Sequence, residues 1–436
     1  MKSSLYNIFF NYEDKIVVYN SLSDNFMVLE NILYELLEAS IKCNEINEIK
    51  NYHDSFYEEL KDNGFIIEDN VNELDIIKKI SYDTDFNETK YSLTINPTMN
   101  CNFKCWYCYE SHIKSSKINE ETQKKILKLI DNIVDEKRGK LKYFHISWFG
   151  GEPLLYFNKT ILPLLREVSS KMEKENIHFT TNFTSNGYLL NQNIISDCKR
   201  FNTTNFQITL DGHRDRHNKV RFLSKTRGSY DEIVNNIKLC LKNKLRVNAR
   251  INVSHETLID LLHVIEDFMD VSTEEKKYLT FSFHEVWQEE KNLHEDISNI
   301  VSSFRKKGFK VDYKGEINRA IYNSCYADKL NQATINYNGD IFKCTARDFK
   351  SSSKEGVLEE DGTISWNNIY YKRIYKTRFM NKPCLSCKIL PICNGGCSQH
   401  RIENEGKSYC IYNFDEKKKK EIVKEKFFSR LYSQVE

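Results

Sequence analysis

The chain has 436 residues, 40% hydrophobic and 29% charged, which is enough apolar material for a sizeable core and excludes wholesale disorder. Lys plus Arg (64) against Asp plus Glu (62) leaves +2, so no strong general pull on nucleic acid or an anionic membrane is expected. No apolar run approaches the ~18 residues of a membrane-spanning helix, and Met1–Phe10 does not read as a signal peptide. The outlying number is 13 Cys against 15 Gly and 5 Pro. In a cytoplasmic chain, that much cysteine predicts metal or redox chemistry rather than disulfides.

Residues 1–88 read as a small α+β unit. Tyr6–Tyr12 and Lys15–Tyr19 are predicted strands about a Glu13-Asp14 turn. A helix is predicted over Asn25–Glu38 from the spacing of Phe26, Leu29, Ile32, Leu33, Leu36 and Leu37. A second helix is expected at Ser55–Asp62, stopping at Asn63-Gly64, and a strand at Phe65–Ile67. From Tyr91 the pattern changes. Strands at Ser92–Asn96, Tyr143–Phe149, His178–Thr184, Asn205–Leu210, Arg246–Val253 and Leu279–Val286 alternate with helices such as Asn119–Lys137, Lys159–Lys174, Tyr230–Asn243 and Thr257–Met269. Six β-α repeats predict a parallel sheet, barrel-like or doubly wound. Barrel sites gather where strands end. Cys101 follows the first strand and Gly150-Gly151-Glu152 the second, so both fall on one face.

Residues 316–413 are rich in cysteine and loops, with short strands at Ala333–Asn336 and Ile341–Lys343 about an Asn338-Gly339 turn. After Asp415, Lys417–Lys420 precede an apolar-periodic stretch. The simplest reading is a surface helix with a solvated lysine face, and a leader-peptide or nucleic-acid contact is the other.

Ten cysteines fall in two groups. Cys101, Cys105 and Cys108 form C-x3-C-x2-C, and Cys325, Cys344, Cys384, Cys387, Cys393, Cys397 and Cys410 crowd the last quarter. Cys43, Cys198 and Cys240 stand alone in helix-like stretches and read as buried small apolar residues. Thiolates hold iron–sulfur clusters, and three of them leave one iron of a [4Fe–4S] cluster open. Structural zinc wants four closed ligands, which would require a residue such as His112 beside the first group.

The segment Cys101-Asn102-Phe103-Lys104-Cys105-Trp106-Tyr107-Cys108, with Gly150-Gly151-Glu152-Pro153, resembles the signatures of radical S-adenosylmethionine (SAM) enzymes. The resemblance implies that Cys101, Cys105 and Cys108 hold a [4Fe–4S] cluster whose fourth iron is chelated by SAM. It also implies cleavage of SAM to a 5′-deoxyadenosyl radical that abstracts a substrate hydrogen. Gly150, Gly151 and Glu152 are then expected to receive the SAM ammonium group. Thr184-Ser185-Asn186-Gly187 resembles the segment near the SAM ribose, which implicates Ser185 and Asn186. Thr209-Leu210-Asp211-Gly212, followed by His217-Asn218 and Arg221, resembles the stretch that binds the SAM carboxylate. Thr209 stands where Ser is commoner and keeps the hydroxyl. Tyr107 corresponds to the aromatic near adenine, with ordinary packing as the alternative.

The order Cys325-x13-Gly339-x4-Cys344, then Cys384-x2-Cys387-x5-Cys393-x3-Cys397-x12-Cys410, resembles the SPASM pattern of a radical SAM subfamily. That resemblance assigns Cys384, Cys387, Cys393 and Cys410 to an outer auxiliary cluster. It assigns Cys325, Cys344 and Cys397 to an inner one, leaving a fourth position for a non-cysteine ligand, water or a substrate thiolate. Sulfatase-maturing relatives carry an Asp base directly after the Gly-x4-Cys cysteine. Here that position is Thr345, with Arg347 and Asp348 nearby. The N-terminal unit resembles the peptide-recognition domains of ribosomal-peptide maturases, which bind a leader peptide at a sheet edge; a structural cap is the alternative.

The expected architecture is α/β: a partial (β/α)6 TIM-like barrel (89–315), an N-terminal winged-helix-like peptide-recognition unit (1–88), a SPASM domain (316–413) and a helical tail (414–436). The implied activity is modification of a ribosomally made peptide, first of all as a Cys thioether crosslink. The alternatives are C–C crosslinking, epimerisation, decarboxylation, formylglycine formation, or a non-catalytic Fe–S or zinc peptide-binding scaffold. The implied cofactors are SAM and three [4Fe–4S] clusters. The implied partners are a precursor peptide with a leader and an electron donor such as flavodoxin or ferredoxin, with no nucleic acid or membrane, in the cytoplasm. No residue is assigned as the catalytic base.

Overall fold

The computed structural model describes residues 1–224, 226–286, 293–313, 322 and 324–433. The chain divides into two compact units. One comprises Glu88–Lys314 and Asn331–Tyr370, and the other Met1–Asn87, Gly315–Leu330 and Tyr371–Glu436. The cysteine-rich segment is thus shared between them. The boundary expected at 315–316 lies outside the described residues.

The first unit is built on one sheet. Its strands are β1 (Lys90–Ile95), β2 (Tyr143–Trp148), β3 (His178–Ser185), β4 (Thr203–Leu210), β5 (Arg246–Val253), β6 (Leu279–Glu285), β7 (Lys310–Tyr313), β8 (Gln332–Ile335), β9 (Asp340–Phe342), β10 (Gly356–Leu358) and β11 (Ile364–Trp366). The order is β7-β6-β5-β4-β3-β2-β1-β8-β9-β10-β11. β7 through β1 and on to β8 run parallel, and β8 to β11 pair antiparallel. The six expected strands are all present. The barrel sheet is extended on one side by β7 and on the other by strands from the cysteine-rich segment.

Alternation along these strands divides the sheet into two chemistries. Leu93, Ile146, Phe183, Ile208, Ile251 and Phe281 lie on one face and are buried in a single apolar cluster with residues of the connecting helices. The other face is polar: Thr94 is level with Ser147, Ser147 with Asn182, Thr184 with Gln207, Thr209 with Arg250, and Asn252 with His284. A fully closed barrel packs its interior with bulky branched side chains. This sheet instead keeps its apolar side for the helices and leaves a hydrophilic surface. The helices start where short side chains cap them: Asn119 accepts from the Thr122 amide, and Asn191 from those of Asn193 and Ile194. The helix expected at Thr257–Met269 is broken into His255–Leu258 and His263–Glu266.

The second unit contains a three-stranded antiparallel sheet of Asn7–Tyr12, Lys15–Asn20 and Asn25–Leu29. The third strand corrects the helix expected at Asn25–Glu38; helix begins only at Asn31 and runs to Cys43. Apolar spacing over a few residues suits either state. Here cross-strand pairing decides, since Phe26 lies opposite Tyr19 and stacks on it at 4.3 Å. The helix Glu416–Ser433 is not the simple surface helix expected. Its Val423 and Phe427 are buried with Ile8, Phe10, Val17 and Tyr19, and with Ile389 and Ile392 of the cysteine-rich segment. Lys417, Lys418 and Lys420 are exposed as foreseen, but Lys419 and Lys426 are buried. Cys198 and Cys240 are buried core residues, whereas Cys43 is exposed at the end of its helix, which corrects the third core assignment. Among the described residues, no cysteine is in a disulfide. Among the described residues, no helix is long and apolar enough to cross a membrane.

Phe427 meets Phe10, Tyr12 and Phe26 at ring distances of 5.6, 5.1 and 5.4 Å. Phe427→Ala should lower the stability of this unit by about 3 kcal/mol, measured as a shift in urea midpoint under anaerobic conditions.

Candidate active site

The loops that follow β1 and β2, together with the ends of β3 to β6, line one cavity of about 210 Å³. Cys101, Cys105 and Cys108 are on its wall, with Gly150, Gly151, Ser185, Asn186, Thr209, Arg221 and Tyr107. These are ten of the eleven residues expected to hold the first cluster or SAM; Glu152 is the one that the cavity wall lacks.

Close backbone approach explains the glycines. Gly150 (φ +76°) has no room for a Cβ, which would come within 2.7 Å of Asn96. A Cβ on Gly151 (φ +47°) would overlap the Asn100 carbonyl oxygen. The next amide, that of Glu152, donates to the same Asn100 oxygen at 2.8 Å. The turn after β2 is therefore pressed against the segment that leads into Cys101. Glu152 itself is fully buried. Its carboxylate accepts from the amides of Leu154 (3.0 Å) and Asn186 (2.7 Å) and from the Ser185 hydroxyl (2.9 Å). Burial pushes its pKa up to about 7 against these donors. This carboxylate, expected to receive a ligand amine, braces the loops after β2 and β3.

A second carboxylate reaches the wall. Glu110 accepts from the Gly151 amide at 2.8 Å, and its other oxygen is buried without a hydrogen-bond partner among the described residues. Burial pushes this group up to about 7, with Asp348 adding to the effect and the Gly151 amide opposing it. Asp348 accepts from the backbone and hydroxyl of Ser111 at 2.9 and 2.7 Å, and Tyr109 donates to the Thr345 carbonyl at 2.8 Å. The segment after Cys344 thus clamps the loop that carries Cys105 and Cys108.

On the opposite wall, Arg221 donates to Asp211 at 2.6 Å and to the Tyr107 hydroxyl at 2.6 Å; Tyr107 also donates to Asp211 and receives from Asn252 at 3.1 Å. Burial opposes the charge on Arg221, but Tyr107 and Asp211 outweigh it and hold the guanidinium protonated. His217 is buried and pushed down to about 3, so it is neutral. Its Nδ1 accepts from the Asp211 amide, leaving Nε2–H for Ser229, whose hydroxyl donates to the Arg221 carbonyl. Tyr107 is thus more than a packing ring, since its hydroxyl joins the ion pair. Asn186 donates to Asn102 at 2.7 Å, beside Cys101. His112 lies 3.6 Å from the Cys108 sulfur through Nε2.

Among the lining residues that escaped the sequence reading are Glu110, Gln207, Arg250 and Asn252. The signal for Gln207, Arg250 and Asn252 was legible. Polar residues recur at every second position of β4 and β5, as Asn205, Gln207 and Thr209 and as Asn248, Arg250 and Asn252.

In the other unit, Cys384, Cys387, Cys393 and Cys410 line a second cavity, walled otherwise mostly by apolar residues such as Ile389, Leu390 and Phe414. Asn381 donates to the Cys384 sulfur at 2.9 Å. Arg401 ties the Cys393–Cys397 loop to the segment after Cys325, donating to the Gly396 carbonyl at 3.1 Å and to Asp328 at 2.8 Å. Cys325 and Cys397 belong to this unit and Cys344 to the other.

The donor chemistry fits clusters. Among the described residues, no group of three or more His, Cys, Asp or Glu is gathered closely enough for a single metal ion. Thiolates around a four-iron cube stand farther apart than ligands about one centre, and three or four cysteines on one cavity wall is that donor set. Burial pushes the thiol of Cys101 up to about 12 and that of Cys108 up to about 11, so taking up metal there must release protons. The unpartnered Glu110 oxygen, beside the Gly151 turn, fits an ammonium group such as that of SAM.

A parallel α/β sheet with three cysteines on the wall of one cavity is an arrangement suited to a cluster beside a small ligand. Residues 95–268 match the Radical SAM superfamily, so this part of the chain carries a radical SAM domain. A cysteine-type anaerobic sulfatase-maturating enzyme of Clostridium novyi is 22% identical over 347 residues, covering 72% of this chain and 89% of that protein. Two solved structures share the fold. anSMEcpe with bound AdoMet and the Cp18Cys peptide has a TM-score of 0.57 and 19% identity, covering 79% of this chain and 98% of that one. Streptococcus suis SuiB bound to the precursor peptide SuiA has a TM-score of 0.55 and 14% identity, covering 95% of this chain and 100% of that one.

Gly151→Ala should weaken SAM binding at least about tenfold, because an added Cβ must displace the Asn100 carbonyl on the cavity wall. Anaerobic equilibrium dialysis against labelled SAM measures this, with circular dichroism confirming the fold.

Proposed function

We propose that this enzyme modifies a ribosomally made peptide by joining a cysteine sulfur to another residue in a thioether. The observation that carries the peptide reading is the cavity itself: three thiols share it with polar side chains from the strand ends, such as Gln207, Thr209, Arg250 and Asn252. The similarity to structures that hold peptides supports it.

Cys101, Cys105 and Cys108 would hold the first [4Fe–4S] cluster. Glu110 and the Gly150-Gly151 turn would receive the SAM amine, Thr209 and Arg221 its carboxylate, and Ser185 and Asn186 would stand near its ribose. When bound, cluster and SAM supply a radical that removes a hydrogen atom from the peptide. Arg221, held in place by Asp211 and Tyr107, presents a fixed positive charge for a carboxylate. Arg250 donates through Nε to Asn252 at 2.9 Å and turns its cation toward the cavity, where a polar substrate would meet it. Cys384, Cys387, Cys393 and Cys410 would hold an outer auxiliary cluster. Cys325, Cys344 and Cys397 number one fewer than the four thiolates of a fully thiolate-held inner cluster. A substrate cysteine is the chemically matching fourth, and this supports a thioether over other products. Among the described residues, Asn7–Tyr12 and Asn25–Leu29 are the edge strands of the three-stranded N-terminal sheet, and either suits a leader peptide added as a further strand. An electron donor such as flavodoxin or ferredoxin and a cytoplasmic setting complete the reading.

The relationship to a sulfatase-maturating enzyme favours formylglycine formation as a second reading. Against it, Thr345 follows Cys344, and both oxygens of Asp348 are engaged by Ser111.

Anaerobic reconstitution should give about twelve irons per chain, four for each of three clusters, and Cys344→Ala fewer. Uptake of zinc instead of iron, without SAM cleavage under strong reductant, would point to a binding scaffold. With a short Cys-containing peptide encoded beside the gene as substrate, the product should lose two mass units and the loss should vanish when the peptide thiols are alkylated first. A loss that persists on Cys-free peptide overturns the thioether, and a product that reacts with a hydrazide probe assigns formylglycine.

A further inference from the structure

The helix Glu416–Ser433 reaches the second cysteine cavity through one side chain. Lys419 lines that cavity with Cys384, Cys387, Cys393 and Cys410. Its side chain is only 10% exposed, whereas that of its ion-pair partner Glu416, 2.6 Å away, is 75% exposed. The counter-charge therefore faces water, while Lys419 itself is buried among the residues that line an otherwise mostly apolar cavity. Its neighbours Lys417, Lys418 and Lys420 are exposed. The position of Lys419 is fixed by the rest of the helix. Val423 and Phe427 are buried against the N-terminal sheet, and Lys426 and Arg430 both pair with Asp24, at 2.7 and 2.5 Å.

We propose that Lys419 raises the reduction potential of the cluster held by Cys384, Cys387, Cys393 and Cys410. The inference rests on the reading that these four cysteines hold a [4Fe–4S] cluster. A cluster bound by four thiolates is anionic and gains another negative charge when it accepts an electron. Net charge and solvent exposure are among the levers that set such potentials. A fixed cation in a cavity of low dielectric stabilises the reduced form more than the oxidised one, and water screens it little. The carboxylate of Glu416, 2.6 Å from the ammonium, is its counter-ion. Lysines one residue away, in water, lack this leverage.

The test is a mediated redox titration of the full-length, anaerobically reconstituted protein, read by electron paramagnetic resonance. A variant with Cys101, Cys105 and Cys108 all changed to Ala removes the first cluster's signal from the background. Lys419→Gln should lower the reduced-to-oxidised ratio at the wild-type midpoint about tenfold, which is 59 mV for a one-electron couple. Glu416→Gln should move the ratio the other way, because it removes the counter-charge. Lys418→Gln should leave it unchanged, and iron content should be the same in all three. Opposite shifts from two adjacent variants are not what a loosened helix would give. If Cys384→Ala leaves iron content and spectrum unchanged, the cluster reading itself fails. If Cys384→Ala abolishes one signal but Lys419→Gln titrates like wild type, the cluster reading stands and this inference is overturned.

Discussion

The site in the barrel unit hangs on one buried carboxylate. Glu152 has no contact with water, and its amide and two oxygens meet four partners from three loops: Asn100 before the first cysteine, Leu154 in its own turn, and Ser185 and Asn186 at the end of β3. A buried carboxylate is costly unless its lone pairs are filled. These donors are mostly backbone amides, so satisfying Glu152 fixes main chain rather than side-chain tips. The Gly150-Gly151 pair lets that brace work, because only residues without a Cβ lie flat against Asn96 and Asn100. The cysteine loop then has one hard wall behind it. Its free side is held by Ser111 on Asp348 and Tyr109 on Thr345.

The sheet supplies the other half of the geometry. Helices need an apolar surface to pack against, and the strands give them Leu93, Ile146, Phe183, Ile208, Ile251 and Phe281. Strict alternation then places Thr94, Ser147, Asn182, Thr184, Gln207, Thr209, Arg250 and Asn252 on the opposite face. In a closed barrel such residues would be buried without partners. Here they find one another, as His145 does with Thr180 at 2.8 Å and Arg250 with Asn252, or they open onto the cavity. The same pattern that makes the fold stable therefore makes its inner face receptive to polar ligands.

Much of this was legible in the sequence, and the reasons are specific. The cysteine and glycine motifs stand at fixed offsets from strand ends, so their meeting in space follows from a parallel sheet whose strands all point the same way. The strands themselves were located within a few residues by alternation. What escaped is direction. Nothing in Gly-Gly-Glu-Pro says that the carboxylate points back toward β3 and not into the cavity; that depends on amides presented 34 residues later, at Asn186. Residues 25–38 carry apolar side chains at a spacing that suits a helix, and only the pairing of Phe26 with Tyr19 makes the first five residues a strand. The tail was misjudged for a similar reason. Four successive lysines look uniformly solvated, yet a helix sends neighbours about 100° apart, so one of the four can be buried while the others are wet.

That last point bears on how the second unit is organised. Its core contains Ile8, Phe10, Val17 and Tyr19 from the N-terminal sheet, Ile389 and Ile392 from between the cysteines, and Val423 and Phe427 from the tail, with Cys387 and Cys393 packed at its margin. The chain ends contribute to one apolar cluster, so the sheet and the cysteine cavity share their packing. Interiors of this kind are close-packed and pass small displacements on. Arg378, bonded to both Asp85 and Asp328, and Arg401, bonded to Asp328, extend the connection in ionic form from the helix Glu73–Asp85 to the loop between Cys393 and Cys397. Removing one partner of such a buried group strands the other charge in the interior. The cysteine cavity is therefore held in shape by residues that are remote in sequence from any cysteine, and the N-terminal 87 residues are structural to it whatever else they bind.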